Sequence, residues 1–202
     1  MSKLLQKSSS SDHVYSLLYR RLHWSLAGII ILLSIVGQQF SFDISDAYRI
    51  HGLKAHSTLG TISLIIAISL FIKRFVLRRP TPTPKLPLMK VIMARFVQLG
   101  LYILAIFIPI SGIICALHSH YPVYLLGLFD ITHLQEGTEA SFAYFRTIHV
   151  WAMRTAMFLL LCHAGAALYH HFIIKDKVLK SMAVQDPLLY KIWQRVKQKR
   201  NL

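Results

Sequence analysis

Residues 148–172 read IHVWAMRTAMFLLLCHAGAALYHHF, a largely apolar stretch with histidines near both ends. It is long enough to cross about 30 Å of hydrocarbon as an α-helix. On such a helix His149 and His163 lie about 21 Å apart along the axis and only about 40° short of a whole number of turns. The stretch therefore predicts one transmembrane helix that presents an imidazole from nearly the same face in each half of a membrane.

The rest of the chain has the same apolar character, with 54% hydrophobic and only 15% charged residues. Four segments reach the length of a membrane span, and they lie near residues 22–40, 57–76, 91–117 and 148–174. We predict an all-α membrane protein, an antiparallel bundle of four transmembrane helices that forms a single domain over residues 1–202. The first segment is longer than the apolar region of a secretory signal and lacks a small-x-small cleavage site, so we expect a retained helix.

The placement of the basic residues predicts the orientation of this bundle. Most of the 23 Lys and Arg residues lie before helix 1, between helices 2 and 3, or in a basic tail over residues 175–202. Because such residues stay on the cytoplasmic side, both termini are expected to be cytoplasmic. The net charge of +15 then reflects topology and contact with anionic lipid, and we expect no nucleic-acid partner.

The depths of four histidines predict two pairs of metal ligands. His23 begins helix 1 on the cytoplasmic side, level with His163, and His56 begins helix 2 on the outer side, level with His149. Two imidazoles on one iron leave no open site, which favours electron transfer over oxygen binding. We therefore predict two haems per chain, one at each pair. His51 is the rival of His56, but it is expected in a polar turn.

Basic side chains beside these histidines are candidates to bind haem propionates, which need cations or amide donors at the membrane surface. Arg20 and Arg21 are the cytoplasmic candidates, together with Lys73 and Arg74, although the orientation rule alone explains all four. Lys54 and Arg146 are more informative, because the same rule disfavours cations outside. Small residues also occur near the histidines, and we expect them to serve mainly helix packing: Gly28, Gly60, Gly165.

The chain resembles the bacterial cytochrome b561 family from about Tyr15 to Met182. The supporting stretches are Leu22-His23-Trp24, His56-Ser57-Thr58-Leu59-Gly60, the proline-rich link over residues 79–87, Tyr102 with Pro109 and Gly112, and His163-Ala164-Gly165-Ala166-Ala167-Leu168-Tyr169-His170-His171-Phe172 running into Lys175-Asp176. The resemblance implies a four-helix protein of the cell inner membrane with two b-type haems. It also implies oxidation of superoxide at the outer face and reduction of ubiquinone, with His170 beside the quinone.

Two other functions remain open from the sequence. One is a cytochrome b subunit that carries electrons between quinol and a partner redox enzyme, and in that case a protein replaces superoxide as the donor. The more distant one is a haem-free transporter or scaffold whose histidines bind protons or metals. Four residues receive no role at this stage, namely Arg154 within helix 4 and His118, His120 and His133 in the loop between helices 3 and 4.

Overall fold

Four long helices dominate the computed structural model, which describes residues 15–76, 87–131, 134, 137–176 and 178–183. Their bounds are α1 Leu17–Gln38, α2 Asp46–Val76, α3 Leu88–Leu117 and α4 Glu139–Tyr169. A 3-10 turn, Gln39–Ser41, follows α1, and a π-helix, His170–Ile174, follows α4 before the short helix α5, Val178–Ser181. Each of the four long helices is long and apolar enough to cross a membrane.

The predicted fold class is confirmed, but the helices are longer than the apolar segments that predicted them. The second helix begins at Asp46 and the fourth at Glu139, because polar residues continue a helix that the apolar pattern alone does not mark. His51 therefore lies inside α2 and not in a polar turn, which corrects that expectation. The proline-rich link, the tail beyond residue 183 and His133 lie outside the described residues.

A small hairpin occupies part of the connection between α3 and α4. Its strands are β1 Tyr124–Leu125 and β2 Phe129–Asp130, paired antiparallel with Leu125 opposite Phe129. The turn between them uses positive φ at Leu126 and at Gly127, and glycine adopts that conformation without steric cost. Ser57 on α2 donates a hydrogen bond of 2.7 Å to the Tyr124 carbonyl, so the hairpin is fixed against the second helix about three turns after its start.

Small side chains occupy most of the buried positions in the long helices, and many large apolar side chains face outward. Ala67, Ser63 and Ser111 are buried, whereas Ile35, Phe158 and other large apolar residues are mostly exposed. This distribution suits a protein whose surroundings are lipid, because helices in lipid pack through small residues. The stretch from Leu22 to Ala166 forms one compact unit, and the described residues before it group with those after it as a second.

Candidate functional site

One pair of imidazoles lies between α1 and α4. The ring centres of His23 and His163 are 6.3 Å apart with an angle of 58° between the ring planes. The Nδ1 atom of His23 is buried and has no hydrogen-bond partner among the described residues. Trp24 approaches His23 edge-on at 5.4 Å, so an apolar ring borders the pair on one side.

A second pair lies between α2 and α4. The ring centres of His56 and His149 are 6.4 Å apart with an interplanar angle of 74°. The Nδ1 atom of His56 is also buried without a partner in the described part of the chain. The structure thus brings the four histidines together in the two predicted pairs, and their role as ligands stays a prediction.

The separation of the rings fits one metal ion between the two imidazoles of each pair. Two metal–nitrogen bonds of about 2 Å each, added to the distance from each nitrogen to its ring centre, come to roughly 6 Å. The two observed separations are 6.3 and 6.4 Å. The separation of the rings in each pair would therefore fit one metal ion between them.

The ring of His149 is held by the neighbouring helix α3. Its Nδ1 atom lies 3.1 Å from the Ile108 carbonyl oxygen and 3.0 Å from Ser111 Oγ. A carbonyl oxygen only accepts hydrogen bonds, so Nδ1 must carry the proton and donate it. Nε2 then keeps its lone pair, the form of histidine that binds a metal. The sequence did not indicate Ile108 or Ser111.

A cavity of about 860 Å³ lies beside the His56–His149 pair, within the unit from Leu22 to Ala166. Gly60 and Gly112 line it. A Cβ atom at position 60 would meet no described residue within 4 Å, so none of the four described long helices packs closely there. The same holds at positions 28 and 165, which does not support the expectation that these three glycines serve mainly packing. The cavity and its open glycine wall suit a flat, bulky cofactor.

Three arginines line this cavity, and they are Arg49, Arg146 and Arg154. Arg146 was predicted to bind a propionate, and that role stays a prediction. Arg49 was not singled out from the sequence; it donates to the Phe40 and Phe42 carbonyls at 3.3 Å each. Lys54 instead lies over the Tyr124 ring, 4.6 Å from its centre, and does not line the cavity.

The cytoplasmic candidates Arg20 and Arg21 differ in their surroundings. Arg20 is buried and donates to the Ala183 carbonyl at 2.5 Å, whereas Arg21 is exposed. Both belong to the unit formed by the described residues before Leu22 and after Ala166. The contact with Ala183 gives Arg20 a structural role in that unit, and the propionate role of both residues stays a prediction.

The end of helix 4 folds back to form a histidine–carboxylate pair. His170 Nδ1 lies 2.5 Å from Asp176 Oδ2, and the Val178 amide donates to Asp176 Oδ1 at 2.9 Å. Lys175, in the left-handed conformation with φ of 58°, makes the turn that brings Asp176 back. Burial opposes ionisation of Asp176, but the hydrogen bonds from His170 and Val178 and the charge of His170 outweigh it and lower its pKa.

The loop histidines have local contacts. His118 accepts or donates a hydrogen bond with Ser141 Oγ at 3.0 Å and stacks on Phe145 at 4.7 Å. Within the described residues, no group of three or more His, Cys, Asp or Glu side chains is arranged to hold a metal ion. The structure therefore gives His118 a packing role, and it brings no third ligand to His118 and His120 from the part of the chain that it describes.

These observations define a class of protein: a multi-pass helical membrane protein with two pairs of histidines facing each other between its helices. The family model of prokaryotic cytochrome b561 matches residues 14–183. The chain belongs to this family. It is a membrane b-type cytochrome that functions in electron transfer. The family implies that it binds haem b and interacts with lipid and redox partners.

Individual relatives agree with this assignment. The chain is 28% identical to cytochrome b561 homolog 2 of Escherichia coli (strain K12) over 171 residues, which is 83% of this chain and 90% of that protein. It is 28% identical to homolog 1 of the same organism over 129 residues, 64% of this chain and 73% of that one. Cytochrome b562 of Cereibacter sphaeroides is 26% identical over 178 residues, 83% of this chain and 94% of the relative.

Proposed function

We propose that the chain binds two b-type haems, one between His23 and His163 and one between His56 and His149. The observation that carries this proposal is the separation of 6.3 and 6.4 Å between the ring centres of the two pairs. Haem iron with two axial imidazoles supplies a one-electron carrier with no open coordination site. The described hydrogen bonds of His149 support the same role, because they leave its Nε2 free to bind metal.

Both termini lie on the cytoplasmic side of the inner membrane in this proposal, with residues 175–202 as a basic tail of a single transmembrane domain. The support is the concentration of Lys and Arg before helix 1, between helices 2 and 3 and after helix 4. The His56–His149 pair then belongs to the outer half of the membrane and the His23–His163 pair to the inner half.

Electrons enter at the outer pair, with superoxide as the donor. Superoxide is an anion, and a local positive field raises the rate at which an anion reaches its site. Arg49 and Arg146 line the cavity beside the outer pair, and Arg146 is exposed. Each superoxide gives one electron and leaves as dioxygen.

Electrons leave near His170 to ubiquinone. Two superoxide anions supply two electrons, and two protons from the cytoplasmic side complete the quinol. An imidazole suits this step because it can hydrogen-bond a quinone carbonyl oxygen and deliver a proton near neutral pH. The His170–Asp176 hydrogen bond supports the role, since it engages Nδ1 and leaves Nε2 as the ring nitrogen that can hydrogen-bond a substrate.

The test is superoxide-driven reduction of a soluble ubiquinone analogue by the purified holoprotein. Haem content is measured first, and two b-type haems per chain are expected. On mixing with superoxide, the haem spectrum should become that of the reduced form, and quinol should then accumulate with one molecule formed for two superoxide anions. No electron transfer to haem on mixing contradicts superoxide as donor, and absence of a b-type spectrum contradicts the whole proposal.

A second function follows from the charge of the outer loops. The carboxylates of the segments assigned to that side, including Asp43, Asp46 and Asp130, outnumber its cations, which disfavours capture of a free anion and suits a basic redox protein. In that case the chain is a cytochrome b subunit between quinol and a partner enzyme. A soluble partner that co-purifies in stoichiometric amount, together with inertness toward superoxide, distinguishes this function from the first.

A further inference from the structure

The hydrogen bonds of His149 come from a helix that carries none of the four paired histidines. Ile108 and Ser111 both belong to α3, and Ser111 is 4% exposed. Their oxygen atoms lie 3.1 and 3.0 Å from Nδ1 of His149. The ring is therefore positioned by a third helix in addition to the two that supply the pair.

The direction of these bonds follows from the other contact of Ser111. Its hydroxyl donates to the Ile108 carbonyl oxygen at 2.8 Å, so an oxygen lone pair remains to accept from His149. The Nδ1 proton is thus shared between two acceptors, a serine oxygen and a main-chain carbonyl. Both acceptors draw the Nδ1 proton away from the ring, and this makes the opposite nitrogen, Nε2, a stronger electron donor to a bound metal.

The other histidines lack this arrangement in the described part of the chain. The Nδ1 atoms of His23 and His56 are buried and have no partner there. His163 makes no hydrogen bond through its ring with any described residue. Among the described residues the two pairs are therefore chemically unequal, because hydrogen bonds at Nδ1 strengthen one ligand of the His56–His149 pair and neither ligand of the His23–His163 pair.

We propose that Ser111, together with the Ile108 carbonyl, is a positioning residue that lowers the reduction potential of the haem at the His56–His149 pair below that of the other haem. The inference rests on the proposed function, since it assumes a haem at each pair. Stronger donation from Nε2 stabilises ferric iron relative to ferrous iron, so this haem gives up its electron more readily. Ser111 thereby makes transfer from the His56–His149 pair to the His23–His163 pair favourable.

The experiment is a spectroscopic redox titration of the full-length holoprotein and of its Ser111→Ala variant, with haem content measured first. The variant loses one of two acceptors, so the reduction equilibrium of the outer haem should shift toward the reduced form by about three- to tenfold. A tenfold shift corresponds to about 59 mV for one electron. The electron paramagnetic resonance signal of the same ferric haem should also change, because the His149 ring is then held by one acceptor instead of two.

The matched control is Ser63→Ala. Ser63 is as buried as Ser111, and within the described part of the chain its hydroxyl bonds only a carbonyl of its own helix, that of Gly60 at 2.7 Å. This variant should leave both potentials unchanged. Ser111→Cys keeps the size of the side chain but offers a weaker acceptor. The reduction potential of the outer haem should therefore rise in this variant too, by less than in Ser111→Ala.

The outcomes separate this inference from the proposed function. The inference is overturned if both variants bind two haems and the potential of the outer haem is the same in Ser111→Ala and Ser63→Ala. That result leaves the proposed function intact. Loss of the outer haem from both Ser111 variants also overturns the inference, because Ser111 would then be a structural requirement of the pocket. A wild-type protein without haem contradicts the proposed function itself.

Discussion

Gly112 on α3 faces the ring of His149 so closely that a Cβ atom at position 112 would lie 3.1 Å from its Cε1 atom. Such a contact is tighter than ordinary van der Waals distance, so the Gly112→Ala variant must displace the ring. We expect it to weaken haem binding at the His56–His149 pair, by about 10- to 100-fold if the ring loses its hydrogen bonds on α3. Spectroscopic haem counting after titration with haemin measures the effect.

Gly28→Ala is the control for this variant. A Cβ atom at position 28 would meet nothing within 4 Å, and Gly28 lies on α1, away from the His56–His149 pair. The outer haem should remain bound in Gly28→Ala. Equal haem affinity of Gly112→Ala and wild-type protein at the outer site would contradict this prediction, because it would show that the His149 ring gives way without weakening haem binding.

Single substitutions of the paired histidines should each remove one haem. We expect His149→Ala to lose the haem between α2 and α4 and His163→Ala to lose the haem between α1 and α4, because each ring faces one partner only. The remaining haem should keep its spectrum. Haem content per chain, measured in purified protein, gives the result directly.

His51→Ala is the matched control, since His51 lies on α2 near His56 but is exposed. It should keep two haems. If His51→Ala loses a haem and His56→Ala does not, the outer ligand has been assigned to the wrong histidine. Two haems with native spectra in either His149→Ala or His163→Ala contradict the pairing.

The pairing of the histidines could be predicted from sequence because it depends on depth. Helical rise places His149 and His163 about 21 Å apart, and antiparallel helices return to the same two depths at His23 and His56. The helix bounds could be predicted less well, because polar residues such as Asp46 and Glu139 begin helices outside the apolar segments. His51 was misplaced for this reason.

The partners of the site residues could not be predicted, because they depend on how the helices are rotated against each other. Ser111 and Ile108 reach His149 only through the packing of α3 on α4, and a serine in an apolar segment gives no signal of that. Asp176 reaches His170 through a left-handed turn at Lys175, a conformation that the sequence does not mark with glycine.

Replacement of Asp176 by Asn should slow quinone reduction while leaving haem reduction by the donor unchanged. The carboxylate accepts from His170 Nδ1 with one oxygen and from the Val178 amide with the other. An amide has one acceptor oxygen and no charge, so it cannot keep both bonds and no longer stabilises a protonated ring, which weakens proton delivery. General acid catalysis contributes about 10²- to 10⁴-fold to a reaction rate, and His170 is the residue to which this contribution is assigned. We therefore expect kcat to decrease in Asp176→Asn by less than it decreases in His170→Ala. Stopped-flow separation of haem reduction from haem reoxidation by quinone measures both steps.

The pH dependence of the His170–Asp176 pair has a defined sign. The pKa of Asp176 is lowered in the folded protein. The pair therefore stabilises the fold fully above the ordinary carboxylate pKa of about 3.9. This contribution to stability is lost as the pH falls through the lowered pKa of Asp176 in the folded protein. Asp176 therefore stays ionised between pH 5 and 8.

The control for Asp176→Asn is Asp130→Asn, which removes a carboxylate from the hairpin and should leave quinone reduction unchanged. An equal decrease in Asp176→Asn and Asp130→Asn contradicts a specific role of Asp176.

Arg154 lies near the middle of the helix 4 span and lines the cavity beside the outer pair. Its guanidinium lies over the Trp151 ring at 5.2 Å, and every carboxylate of the sequence lies outside the cores of the four spans. A cation beside a haem in a medium of low dielectric constant favours the extra electron of the reduced state.

Arg154→Gln should therefore lower the potential of the outer haem, opposite in sign to the effect of Ser111→Ala. We expect a shift of about 59 mV if the charge changes the reduction equilibrium tenfold. Arg95→Gln is the control, because Arg95 is as exposed as Arg154 but lies on α3 and does not line the cavity. A redox titration that finds the same potentials in Arg154→Gln and Arg95→Gln would show that the guanidinium does not act on the haem. A lower potential in Arg154→Gln alone identifies Arg154 as the residue that partly offsets Ser111, and the two opposing effects should add in the double variant if they act independently.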